Sequence, residues 1–199
     1  MLGAIDMENK GKNEIIGEKK KVKKSILKNF YPEYTFEKVE DIPLELLHKE
    51  GIKLVLMDMD NTLIDCKGNY SKDLKKWIKN AKAKGIKFYI LSNSFSEKNV
   101  KRISKELGVQ YFYKASKPSR KGFRKVCENF PDINKCEILM IGDQLFTDVW
   151  GGNRFGIRTL LVKRINKKEV IVSKIKRPIE RMILNHYYKK EENVEKCKV

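Results

Sequence analysis

Histidine is scarce in this chain: His48 and His186 are the only two in 199 residues, and they lie far apart. A His/Cys zinc centre is therefore disfavoured, and neither histidine stands near a nucleophile motif of the Ser-His-Asp kind. Cysteine is also sparse. Cys66, Cys127, Cys136 and Cys197 form no CxxC pair, so they are expected as free thiols in a reducing compartment, not as a disulfide framework. Long apolar runs are missing as well. Nothing reaches the length that spans a bilayer, and the first residues, MLGAIDMENKGKNE, lack the continuous apolar stretch of a signal peptide. A cytoplasmic protein is expected, soluble or held peripherally on the inner face of the membrane. Acidic residues are outnumbered, 26 against 44 Lys and Arg, for a formal net charge of +18. That surplus bears on partners more than on fold. It admits nucleic acid, an anionic membrane surface or a phosphorylated substrate.

What is present divides into three parts. Residues 1–25 are polar and contain the cluster Lys19, Lys20, Lys21, Lys23 and Lys24, which reads as a flexible lysine-rich extension. Residues 26–188 form the domain, entered through an arm (26–50) that carries Phe30, Tyr31, Tyr34 and Phe36. Residues 189–199 are a polar tail. From Gly51 onward, strand and helix patterns alternate. The strands are predicted at 53–58 (KLVLMD), 86–91 (IKFYIL), 109–113, 137–141 and 158–162. Continuous apolar runs of this length suit strands buried on both faces. Ser71, Ser96 and Ser119 are placed to cap the helices between them. A short helix is expected at 147–155, and Pro178 opens a last amphipathic helix with Ile179, Met182 and Ile183 on one side. Alternation of this kind gives an α/β fold: a doubly wound parallel sheet, here of five strands. Such sheets bind ligands beyond the carboxyl ends of their strands, where the strand order reverses.

The candidate residues fall at those ends. Asp58 and Asp60 follow the first strand, Ser92 and Asn93 the second, Lys117 the third, and Asp143 and Asp148 the fourth. Phosphate-ester hydrolysis uses each type. Asp58 supplies a carboxylate nucleophile. Carboxylate and phosphate repel, and a magnesium ion held by Asp58, Asp143 and Asp148, with a backbone oxygen of Asp60, would offset that repulsion. Lys117 adds a fixed positive charge, and Ser92 and Asn93 sit where they can meet phosphoryl oxygens. Asp60 is placed to protonate the leaving alcohol and then to deprotonate water. Asp148 reads equally well as a carboxylate at a helix N-terminus. A response-regulator receiver uses similar residue types, but there the lysine comes last. Here Lys117 precedes Asp143 and Asp148.

The order Asp-x-Asp, Ser, Lys, Asp resembles the haloacid dehalogenase (HAD) superfamily. The segments MDMDNTL, LSNS, YKASKP and IGDQLFTDVWGGNRFGIRTLLV are similar to the YqeG family, phosphatases of subfamily IIIA, over about Leu27 to Leu184. The resemblance implies a magnesium-dependent phosphatase with Asp58 as nucleophile, Asp60 as acid/base, Ser92 and Lys117 as phosphate binders and Asp143 on the metal. It also implies a substrate, because YqeG proteins are similar to phosphatidylglycerophosphate phosphatases of phosphatidylglycerol synthesis.

Spacing bears on substrate size independently. Between Thr62 and Ile86 there is room for a loop and one helix, and between Ser92 and Lys117 for one helix and one strand. No cap domain is expected, and an open site suits a bulky substrate such as a lipid head group. Basic residues beside apolar ones, in segment 19–28 and in Lys174, Lys176, Arg177 and Arg181 near Ile179, suit an anionic bilayer. The alternatives are a general small-molecule phosphatase or a basic nucleic-acid-binding protein with a HAD fold. The latter is disfavoured because no RNA-binding motif is present.

Overall fold

Leu54–Met57, a run of four apolar residues, forms a strand whose side chains are all buried. Its neighbours on both sides explain why. The computed structural model, which describes residues 28–166, 178–180 and 182–187, places this strand (β2) in the middle of a parallel sheet. The other strands are β1 (Tyr34–Phe36), β3 (Lys87–Leu91), β4 (Gln110–Phe112), β5 (Ile138–Gly142) and β6 (Arg158–Val162), in the order β1-β6-β5-β2-β3-β4. All five pairings are parallel.

The sheet therefore has six strands, where the sequence predicts five. The additional one is β1, from the segment read as an arm. It pairs with β6, Tyr34 opposite Leu160, and Arg158 anchors its approach by ion pairs to Glu33 at 2.7 Å and Glu50 at 2.5 Å. Its three residues are all half-buried. An edge strand that short offers no alternation to read.

Side chains alternate across β2 and β5. Val55, Met57, Leu139 and Ile141 face a core covered by α1 (Leu44–Lys49), α2 (Lys72–Ala83) and α3 (Glu97–Leu107). Leu54, Leu56, Ile138 and Met140 face the second core, built with Phe123 and Val126 of α4 (Arg120–Cys127) and Phe155 of α5 (Trp150–Phe155). Full burial of a side chain such as Phe123 stabilises by about 1.5–3 kcal/mol. Each predicted serine cap is made: Ser71, Ser96 and Ser119 Oγ accept from the N–H groups of Leu74, Asn99 and Lys121. Gly108, at φ 65°, ends α3 in the left-handed conformation that glycine takes without steric cost.

Residues 178–180 and 182–187 are helical. Ile183 and Tyr187 are buried, and Ile183 packs with Leu145 and Val149. Ile179, Ile183 and Tyr187, spaced four apart, run along one side of the helix, with Ile179 half exposed; Met182 turns outward, against the expectation that it shares a face with Ile183. The lysine cluster at 19–24, Lys174, Lys176, Arg177, Arg181, Cys197 and the tail 189–199 lie outside the described residues. Among the described residues no cap domain covers the carboxyl edge of the sheet, and no helix is long and apolar enough to cross a membrane.

Candidate active site

The chain order reverses between β2 and β5, and the site is there. The Asp58 N–H still donates to Ile141 O of β5 at 2.9 Å, so its carboxylate leaves the last paired position of the sheet. The chain then turns tightly. Asn61 takes a left-handed conformation (φ 64°), and Leu63 and Ile64 both donate to Met59 O. Met59, Leu63 and Ile64 are buried and pin this turn, which leaves Asp60 exposed at the mouth.

Lys117 reaches Asp58 from the loop after β4. Its Nζ donates to Asp58 Oδ1 at 2.7 Å and lies 2.7 Å from Asp148 Oδ1. This buried ammonium is held by an awkward loop. Lys114 (φ 52°) and Ser116 (φ 56°) are non-glycine residues in the left-handed region, at about 1–3 kcal/mol each. Several contacts hold that conformation. Ala115 N–H donates to Ser92 O, and Lys114 N–H to Ser94 O. Gly122 of α4 lies so close that a Cβ there would sit 2.4 Å from Ala115 O. Asn93 clamps Lys117 itself: its Oδ1 accepts from Lys117 N–H at 2.7 Å and its Nδ2 donates to Lys117 O at 3.0 Å. Both ends of that amide are thus engaged by the lysine's main chain. Ser92 is buried, its Oγ accepting from Ser94 N–H at 3.1 Å, which leaves the hydroxyl proton to donate.

Asp143 and Asp148 come from β5 and the wide helical turn Leu145–Val149 that follows it. Such π-turns are frequent at functional sites. This one folds the Asp148 side chain back over Gly142, where a Cβ would lie 2.2 Å from Asp148 Oδ2. That oxygen accepts from Gln144 N–H at 3.1 Å. Asp148 therefore does serve a backbone amide of its own turn, but at 1% exposure it also faces Lys117. The short helix expected at 147–155 is this wide turn followed by α5.

Two contributors escaped the sequence reading. The Thr62 hydroxyl lies 3.1 Å from Asp143 Oδ1 and 3.4 Å from Asp58 Oδ2, so it links the two carboxylates. Its signal was available in its place two residues after Asp60. Arg164, just past β6, donates through Nε to Asp143 Oδ2 at 2.7 Å. No local motif marked it.

Charge explains what the cluster can hold. Asp58, Asp143 and Asp148 each offer one oxygen, and the three oxygens lie within 4.8 Å of one another. Lys117 and Arg164 supply two positive charges against these three carboxylates. Desolvation raises the Asp148 carboxyl to about 7, with the Asp58 charge adding to it and Lys117 opposing. Asp143 is raised by burial and by Asp58, against the pull of Arg164 and Thr62. Asp60 is raised first by desolvation and then by the charge of Asp58. Lys117 is depressed by burial, but its two carboxylates outweigh that and hold it above the ordinary lysine range. Asp148 Oδ1 is paired with the Lys117 ammonium at 2.7 Å. A buried all-oxygen cluster in which three carboxylates face two cations fits a small hard dication.

A carboxylate-and-lysine pair at the switch point of a parallel sheet, with two further carboxylates beside it, suits phosphoryl chemistry. Residues 70–156 match the family model described as haloacid dehalogenase-like hydrolase. Over 162 residues, 80% of this chain and 93% of the other, the sequence is 36% identical to the probable phosphatase YqeG of Bacillus subtilis (strain 168). The chain belongs to the YqeG family of haloacid dehalogenase-like phosphatases. It is also 28% identical over 174 residues to phosphatidylglycerophosphate phosphatase 1, chloroplastic/mitochondrial, of Arabidopsis thaliana. That alignment takes in 80% of this chain and spans about half (48%) of the plant protein. Among solved structures, an uncharacterized protein from Listeria monocytogenes serotype 4b superposes with a TM-score of 0.48 at 21% identity, over 60% of this chain and 86% of that one.

Proposed function

We propose that this chain is a magnesium-dependent phosphomonoester hydrolase that works through an aspartyl-phosphate on Asp58, with phosphatidylglycerophosphate as its substrate. The observation that carries the chemistry is the buried Lys117 held at 2.7 Å from both Asp58 and Asp148. Asp58, Asp143 and Asp148, with the Asp60 main chain, would hold the ion. Magnesium, when bound, screens the repulsion between carboxylate and phosphate and polarises a phosphoryl oxygen.

The chain's own groups do the rest. Lys117 orients the Asp58 carboxylate and stabilises charge on the phosphoryl oxygens as the bond to the ester oxygen lengthens. The Ser92 hydroxyl donates to one of those oxygens, with Asn93 keeping Lys117 in register. An Asp58 oxygen bonds to phosphorus, the phosphorus–alkoxide bond breaks, and Asp60 gives its proton to the departing alkoxide. Water then attacks the aspartyl-phosphate and loses a proton to Asp60. The bond between phosphorus and the Asp58 oxygen breaks, returning both carboxyl groups and releasing phosphate. A raised Asp60 suits both directions of transfer.

The open carboxyl edge, the +18 charge and the similarity to the plant phosphatase support a lipid head group presented by an anionic membrane. Asp58→Asn abolishes magnesium-dependent phosphate release. Wild-type protein releases phosphate from phosphatidylglycerophosphate in mixed micelles faster than from soluble sugar phosphates. Full activity of the variant sinks the mechanism, and equal or reversed rates sink the substrate.

A further inference from the structure

Four large apolar side chains stand well exposed among the described residues: Phe95 (84%), Met182 (64%), Ile179 (50%) and Ile165 (44%). They are not scattered. Phe95 tips the loop between β3 and α3, three residues past the buried Ser92. Ile165 follows Arg164 past β6, and its N–H donates to Asn61 O at 3.0 Å, which ties it to the turn that carries Asp60. In the sheet, β6 and β3 lie immediately outside β5 and β2. The two apolar tips therefore rise on opposite sides of the mouth formed by Asp58, Asp60 and Asp143. Ile179 and Met182 are exposed residues of the helix that packs on the turn carrying Asp148.

Exposed cations stand on the same edge. Lys98 and Arg120, in the first turns of α3 and α4, and Lys114, between β4 and α4, are exposed. The nearby acids are partly committed. Asp65 accepts from its own turn amides, and Glu97 accepts from Tyr111.

We infer that this edge is an interfacial docking surface: Phe95 and Ile165 insert on either side of the active-site mouth, flanked by exposed cations, and seat it on an anionic phospholipid bilayer. Apolar tips ringed by Lys and Arg are what adsorbs to such a surface, the apolar part entering the acyl boundary and the cations meeting head-group phosphates. The assignment rests on the lipid-phosphatase reading of the site, and it gives the missing cap a use. With nothing folded over the catalytic edge among the described residues, the membrane itself closes it.

The test separates docking from chemistry. Full-length protein carrying Phe95→Ser with Ile165→Ser is sedimented with phosphatidylglycerol-containing and with pure phosphatidylcholine vesicles across a salt series. Both positions are exposed and outside the catalytic groups, so hydrolysis of soluble p-nitrophenyl phosphate stays at the wild-type rate. Binding to the anionic vesicles falls by about tenfold or more, as expected for losing two inserted apolar groups. Phe95→Trp retains binding, and its new indole emission shifts to the blue on anionic vesicles only. Unchanged vesicle binding by the double serine variant overturns the inference. So does loss of single-stranded RNA binding with vesicle binding intact, which would make Phe95 a base-stacking residue. If docking behaves as stated but wild-type protein cannot hydrolyse phosphatidylglycerophosphate in detergent micelles, the substrate reading fails and the surface stands.

Discussion

Arg164 Nε lies 2.7 Å from Asp143 Oδ2, which joins the end of β6 to a buried carboxylate of the end of β5. Together with the hydroxyl of Thr62 on Oδ1, this occupies both oxygens of Asp143. Removing the guanidinium leaves a buried carboxylate paired by that hydroxyl alone. Loss of one partner of a buried ion pair costs about 3–5 kcal/mol, and the partial exposure of Arg164 puts the expected loss nearer 2–3 kcal/mol. Arg164→Gln should therefore melt well below wild type without metal and recover more than wild type when magnesium is added. Thermal melts with and without the ion decide this, and an unchanged metal-free melt would refute it.

The Asp148 carboxyl yields a prediction in pH. It is raised to about 7 in the fold, chiefly by desolvation, from an ordinary value near 4. Between those two values the folded chain holds a proton that the unfolded chain has released. Stability from this group therefore falls as pH rises through that window. Metal-free protein should melt lower at pH 7.5 than at pH 5.5. Asp148→Asn should flatten that difference, and magnesium should offset it in the wild type at the higher pH. A wild-type melt that rises steadily over this range in chelator would contradict the assignment.

Gly142 is the tightest point of the site. A methyl group there would stand 2.2 Å from Asp148 Oδ2, so the Asp148 side chain must move. Gly142→Ala should cost about 1–3 kcal/mol of stability from overpacking. It should lower kcat by about 100-fold, the scale expected when a catalytic group is displaced by roughly an ångström. Steady-state kinetics beside thermal melts test it; wild-type turnover in a folded variant would show that Asp148 has no fixed place in catalysis.

Legibility in the sequence followed physical cause. Asp58, Ser92 and Asp143 could be placed because each sits just beyond a buried apolar run, and Lys117 because it follows the next strand in the same order. The caps at Ser71, Ser96 and Ser119 were legible for the same local reason. β1 was not, since its three half-buried residues owe their conformation to pairing with β6 and to Arg158, which is 125 residues from its partner Glu33. Arg164 was hidden because its role depends on a partner across the sheet. Asn93 was read as a phosphate contact. Its clamp on Lys117 depends on the path of the β4–α4 loop, including two left-handed residues that no local pattern announces.

The strand order has one more consequence. β2 and β5 are neighbours in space, but the bond from Thr62 to Asp143 joins residues 81 positions apart, with three strands and three α-helices between them. Closing so long a loop is entropically costly and comes late for a chain dominated by non-local pairing. The carboxylates can meet only once β5 has paired beside β2. Recovered activity therefore reports that non-local pairing better than recovered helix content does.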